Sequence, residues 1–448
     1  MLKTIKSVGP ALLVASLAAG CGGGGGAAAD KQNGTGDEAA GKTAQPIQTT
    51  KEVAFFTALG DLTADFDYKY GNDLRKKFPD YKITFVEKPA KKGVAETLAA
   101  GQSFDVLYSS IGNFENDVLP YDLAYDMSEL VKKHNVDLTR IEPTILEAVK
   151  QASGGKLFGI PVQNNNFVLY YNKTIFDKFG VPYPTDNMSW DEVIQVSKKL
   201  TRVDSDTSYL GFGQSQAHTV RLNPLSIPNV DPQTNKPTVN TDPRWKTFYQ
   251  TFFLPFAQDP VYQTYIAKTK KTPDLNSFVQ EKNTAMFPYL SSLIYTWIDQ
   301  LKAMDWDIAA MPSFKDSPGV GSVSYPTYFG VVKPSKNKEA AMEVIKYIMS
   351  DEFQTILAKK AIMPALHNKS VQAQLGADSP FKDKHLQAIF AKKLAPIPPK
   401  TIYDADVATV YSNYGIMMQK GETDLNTGLR QAEEAAIKKI DEKNKIVK

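Results

Sequence analysis

Glu52-Val53-Ala54-Phe55-Phe56-Thr57, Lys82-Ile83-Thr84-Phe85-Val86 and Phe104-Asp105-Val106-Leu107-Tyr108 are three short apolar runs rich in β-branched and aromatic residues. Between them lie two stretches of helical character, one ending near residue 77 and one over 94–100. A strand-helix-strand-helix-strand order predicts a parallel sheet with helices on both faces, an α/β fold. Ligands bind such sheets beyond the carboxyl ends of the strands. Those ends carry residues 58–61, with Asp61, and Ser109-Ser110-Ile111-Gly112-Asn113.

Reading outward, helices are expected at 128–134 and 143–151. A Gly154-Gly155 turn and an apolar run over 156–162 follow. Asn164, Asn165 and Asn166 then interrupt before the strand Phe167-Val168-Leu169-Tyr170-Tyr171, and amides between two apolar strands must find partners or water. Ser189-Trp190-Asp191-Glu192 is a capping box that starts a helix running to about residue 200, with Trp190 as a packing anchor. Residues 201–241 read as long loops, and helices resume at 245–253, 276–282 and 295–304 before the strand 306–310. A further strand covers 328–332. The helix 338–359 carries Ala341, Val344, Ile345 and Ile348 on one face, and a C-terminal helix carries Leu425, Leu429, Ala432, Ala436 and Ile440.

The N-terminus has the layout of an export signal, because Lys3 and Lys6 precede the apolar run Ala11-Leu12-Leu13-Val14-Ala15-Ser16-Leu17 and small residues lead to Cys21. The apolar stretch contains Pro10 and falls short of the ~20 residues that span a bilayer. Cys21 is the single cysteine, which excludes an intramolecular disulfide, a Cys-rich metal site and a two-cysteine redox motif. Leu17-Ala18-Ala19-Gly20-Cys21 resembles the lipobox of bacterial lipoproteins. That resemblance implies removal of residues 1–20 and acylation of Cys21, each buried CH₂ adding ~0.8 kcal/mol of membrane attachment. Residues 21–50, opening on Gly22-Gly23-Gly24-Gly25-Gly26, have the composition of a flexible tether with a reach on the order of 30 Å. Gly36-Asp37-Glu38-Ala39-Ala40-Gly41-Lys42-Thr43, within it, fits the phosphate-loop pattern. No strand precedes that stretch, and Asp37 and Glu38 would repel phosphate, so nucleotide binding is not expected there.

A chain of 448 residues has room for about two to four domains or one large two-lobed unit. Its 42% hydrophobic and 23% charged residues are ordinary globular values. Lys plus Arg number 52 against 49 Asp plus Glu, and two of the lysines lie in the signal, so no net field gathers nucleic acid. His134, His218, His367 and His385 are isolated, and neither H-E-x-x-H nor G-x-S-x-G occurs. Asp204-Ser205-Asp206 lacks the glycine and distal glutamate of a calcium loop. No catalytic residue, metal or cofactor is expected, and the chain reads as a non-enzyme. The alternatives are a tethered carbohydrate-active hydrolase, whose carboxylates would pair only in space, and a surface adhesin or sensor component.

Gly155-Lys156-Leu157-Phe158-Gly159-Ile160-Pro161, Leu169-Tyr170-Tyr171-Asn172-Lys173 and Ser189-Trp190-Asp191-Glu192 occur in that order. They are followed by Ala285-Met286-Phe287-Pro288 and by Ser335-Lys336-Asn337-Lys338-Glu339-Ala340-Ala341. In this the chain resembles the family 1 extracellular solute-binding proteins of bacterial ABC importers, typified by the maltose-binding protein. The resemblance covers roughly 52–448. It implies a type II periplasmic-binding-protein-like fold of two α/β lobes joined by crossover strands, residues 51–163 and 325–365 forming lobe 1 and 164–324 and 366–448 lobe 2. It further implies a monomer lipid-anchored on the outer face of the cell membrane, which takes a small molecule, expected to be a saccharide, to the transmembrane subunits of an ABC permease.

Carried over residue by residue, the resemblance puts Asn165 at a ligand-contacting position in the first crossover and leaves Asn164 and Asn166 as hinge residues. Asp61, Ser109, Ser110 and Asn113 fall on first-lobe cleft loops, and Tyr289 and Ser292 on a second-lobe loop. Tyr289, Tyr325, Tyr328 and Tyr403 are candidate stacking surfaces. Phe287-Pro288-Tyr289 stands where sugar-binding members carry Gly-x-Trp, and Ser109 replaces a stacking aromatic, which argues against a long oligosaccharide. Trp297 and Trp306 are read as core.

Overall fold

The computed structural model describes residues 51–88, 93–111 and 113–447; the export signal, Cys21 and the tether lie outside these. The first lobe is built on a five-stranded sheet in the spatial order Tyr81–Val86, Lys51–Phe56, Val106–Ser110, Thr327–Val331, Ile160–Gln163. The three N-terminal strands are parallel as the sequence predicts, with Phe55 opposite Phe85 on one side and Val106 on the other. The last two run antiparallel to their neighbours, so the sheet is mixed. Thr327–Val331 enters from the second lobe and not from a crossover helix, which frees it from the direction a βαβ connection imposes. The third strand begins later than its apolar run suggests. Asp105 is a corner whose carboxylate accepts from Ala54 N at 3.0 Å and Ser335 Oγ at 2.6 Å.

The first connecting helix runs from Thr63 to Lys77 with a π-helical turn at Asp67–Gly71. A Cβ on Gly71 would lie 2.4 Å from Asp67 Oδ1 and 2.8 Å from Phe66 Cε1, so a side chain there would have to displace both.

The second lobe holds a three-stranded antiparallel sheet, Met286–Leu290, Phe167–Asn172, Trp306–Ala310, with Phe167–Asn172 in the middle. Every residue of the central strand is buried, which explains its unbroken apolar run. Trp306 is fully buried against Tyr170 and Phe381, and its indole N–H donates to Leu301 O at 3.0 Å. The helix Trp190–Leu200 starts at the expected capping box, with Glu192 Oε2 accepting from Ser189 N at 2.7 Å.

Several elements depart from the sequence reading. Within 201–241 there is a short hairpin, Arg202–Asp204 with Thr207–Tyr209, and a helix, Gln216–Arg221. Residues 338–359 form two helices, Lys338–Ile348 and Asp351–Lys359, because Ser350 caps the second by accepting from Phe353 N at 3.2 Å. Asp404–Gln419 is a helix whose apolar residues are scattered round its circumference, so periodicity does not reveal it. Among the described residues no helix is long and apolar enough to cross a membrane.

Candidate functional site

The chain leaves the first-lobe sheet at Gln163 and enters the second-lobe sheet at Phe167; the return passes through Ser324-Tyr325-Pro326. The three asparagines of the outward crossing cannot pair as a regular strand and are knitted to neighbouring segments. Asn164 N donates to Met363 O at 2.9 Å and its Nδ2 to Ser324 Oγ at 3.2 Å. Asn166 Nδ2 donates to Ile389 O at 2.8 Å, and Asn166 O accepts from Ser291 N at 2.9 Å. Asn165 sits between them, its carbonyl accepting from Tyr325 N at 2.7 Å and its Oδ1 from Ser291 Oγ at 2.8 Å. Asn164 therefore ties the outward crossing to the return at Ser324, Asn166 fastens it to second-lobe segments, and the amide of Asn165 turns toward the second-lobe loop that follows Leu290.

Asp61 lies on the first-lobe side, in an ion pair with Lys69 and accepting from Tyr108 OH at 2.8 Å. Tyr70 OH donates to Gln163 Oε1 at 2.5 Å. Tyr295, from the second lobe, completes this group. Burial pushes its phenol well up, the nearby side chains of Asn165, Gln163 and Ser292 oppose that rise, and the charge of Asp61 adds to it. Asp61, Asn165 and Ser292 thus meet round a tyrosine that the sequence reading does not single out. Nothing in the stretch 293–296 distinguishes Tyr295 from a core residue until the lobes are assembled.

Ser110, Asn113 and Tyr325 form a second group. Ser110 Oγ donates to Tyr325 OH at 2.9 Å, and Asn113 Nδ2 donates to Ser110 Oγ at 2.8 Å. The ring of His218 lies 6.4 Å from Tyr325 and 5.3 Å from Tyr289, joining both tyrosines into one aromatic wall. Burial, helped by Arg221, lowers the His218 pKa to about 4, so this imidazole is neutral at pH 7. Ser109 points to the other side of its strand and donates to Asp117 Oδ2 at 2.6 Å. Tyr403 stands apart from these groups, buried, with its hydroxyl donating to Asn444 Oδ1 at 2.6 Å. Tyr328 is buried against Phe114.

Beside Tyr325 a narrow pocket opens between the lobes, lined by Asn113 from the first, Ser324 and Tyr325 from the return crossing, and Arg221, Lys400 and Asp404 from the second. Lys400 Nζ is 3.9 Å from Asp404 Oδ1. Burial lowers the lysine's pKa and raises the aspartate's. Glu115, across the pocket on the first lobe, is pushed up to about 7, chiefly by burial and further by the charge of Asp404. Such a site presents hydroxyl, amide and aromatic groups and a few desolvated charges. Among the described residues no group of three His, Cys, Asp or Glu is disposed to hold a metal ion.

Two α/β lobes with a polar, aromatic cleft at the waist are the plan of a protein that captures a small solute between them. The family model for bacterial extracellular solute-binding proteins matches residues 57–355, and the chain belongs to that family. It is 22% identical over 297 residues to a protein of Brucella abortus described as a binding protein, covering 64% of this chain and 67% of that one. Its fold is similar to that of a sugar transporter from Rhizobium etli crystallised in an open conformation, at 20% identity and TM-score 0.69, covering 86% of this chain and 98% of that one. It is also similar to an ABC substrate-binding protein of Listeria monocytogenes in complex with cycloalternan, at 18% identity and TM-score 0.67, covering 87% and 99%.

Proposed function

We propose that this protein captures a short saccharide in the waist cleft and delivers it to the transmembrane subunits of an ABC permease, held at the outer face of the cell membrane by lipid on Cys21 after removal of residues 1–20. The observation that carries this reading is the convergence of uncharged hydrogen-bonding groups, Asn165, Ser292, Ser110 and Asn113, with the rings of Tyr289, Tyr325 and Tyr295 at the crossing of a solute-binding protein. An amide offers donors and an acceptor together, which suits hydroxyls that need both, and tyrosine faces suit the apolar faces of sugar rings. Asp61 adds a charge-assisted acceptor. The sugar transporter of Rhizobium etli and the cycloalternan complex of Listeria monocytogenes, which share the fold, support a carbohydrate ligand. In this reading 51–163 with 325–365 and 164–324 with 366–448 move as two lobes of a monomer, and Ser109 and Tyr403 support the cleft from behind.

A thermal-shift screen over sugars, polyols and peptides tests the proposal. A ligand that binds only the native state adds about 2.7 kcal/mol of stability at one hundred times its Kd, so a saccharide hit raises the melting temperature visibly. A screen in which only peptides stabilise the protein contradicts the saccharide reading. Shortened products after incubation with oligosaccharides would favour a tethered hydrolase instead.

A further inference from the structure

Arg221 ends the helix Gln216–Arg221 and lines the inter-lobe pocket beside Lys400, Asp404 and Tyr325. It is half-buried, and among the described residues no hydrogen bond or ion pair holds its guanidinium. The other arginines are all engaged, Arg75 with Asp67, Arg140 with Asp351, Arg202 with Lys199 O, Arg244 with Asp242 and Arg430 with Glu434. The carboxylate that shares its pocket, Asp404, is engaged by Lys400, Asn229 and Thr401 and not by Arg221. Lys400 is a like charge whose own partner is Asp404. His218 is held neutral beside it. Glu115 interacts with Lys400 and Asp404, and burial favours its protonated form. A partly desolvated cation without a partner is unfavourable, and a guanidinium presents a planar fork of donors that matches an oxyanion through two parallel hydrogen bonds.

We infer that the saccharide taken by this cleft carries an anionic substituent, a carboxylate, sulfate or phosphate, which pairs with Arg221 while Asn165 and the tyrosines hold the rest of the ring. This rests on the saccharide reading above and narrows it. Closure of the lobes would complete the desolvation of that ion pair.

Calorimetry with the folded chain tests the inference, using neutral disaccharides each matched with its uronate, sulfate and phosphate forms. At least one anionic form is expected to bind more than about tenfold tighter than its neutral parent, a difference that shrinks at high salt. Arg221→Gln should remove that preference, and Arg221→Lys should restore part of it. The form that gains most identifies the anion. Neutral parents that bind as tightly as every anionic form, or a preference that survives Arg221→Gln, would overturn the inference and leave the saccharide reading intact. Absence of binding by all saccharides, neutral and charged, would overturn both. Should Arg221→Gln not fold, the matched pairs and their salt dependence in the wild type decide the matter alone.

Discussion

The backbone N–H of Tyr325 donates to the carbonyl of Asn165 at 2.7 Å, so the outward and return crossings are bonded to each other at the two residues whose side chains reach Ser291 and Ser110. A hinge rotation about this point carries both side chains with it. In the proposed reading closure and ligand contact are one event, because the groups assigned to the solute lie at the crossing about which the lobes would turn.

Ligand binding should therefore compact the molecule. Small-angle scattering of the chain with and without a saturating hit from the thermal screen is expected to show a smaller radius of gyration in the complex. An unchanged radius would mean a rigid receptor, and the shared hinge would have no mechanical role.

Glu115 gives the cleft a pH signature. Its folded-state pKa of about 7 lies above the ordinary value of 4.5, so its contribution to stability is fully present below pH 4.5 and is lost as pH rises through 7. His218 works in the opposite sense, its stability present above about pH 6.5 and lost as pH falls through 4, so a wild-type profile mixes the two. Glu115→Gln isolates the carboxyl. The variant should match wild type near pH 4 in urea unfolding and exceed it at pH 8, by an amount on the order of 3 kcal/mol at most. An equal offset at both pH values would show that Glu115 titrates normally.

Cys21 lies outside the described residues, and its role is tested in cells. Cys21→Ser should release or mislocalise the protein, with loss of the lipid mass from the mature N-terminus. A variant that stays on the membrane, together with a wild type that carries no lipid, would contradict the anchor.

The parallel core of the first lobe was legible because Phe55 and Phe56, and Val106 and Leu107, are neighbours on opposite faces of their strands and are all buried, which leaves apolar runs. The helix at Trp190 was legible because its cap is local. Asn165 was marked by the anomaly of three amides between apolar strands. Tyr295, His218 and Arg221 were not legible, since each gains its surroundings only when segments more than 100 residues away in sequence close over it, as Asn165 and Ser291 do with a separation of 126. Tyr403 shows the converse. An aromatic residue beside the pocket-lining Asp404 looks like a stacking surface until its hydroxyl is found tied to Asn444.

Titration calorimetry of Asn165→Ala with the saccharide found in the screen tests the central claim most directly. Losing a buried hydrogen-bond partner should cost about 1 to 3 kcal/mol, a loss of roughly 5- to 150-fold in affinity, with the fold intact. Trp190→Phe is the control. Trp190 packs edge-on against Phe252 at 4.6 Å, away from the crossing, so that change should lower stability by about 1 to 2 kcal/mol and leave affinity unaltered. Weakened binding in Asn165→Ala alone is the predicted result; a variant that binds as tightly as wild type would contradict the placement of the cleft at the crossing.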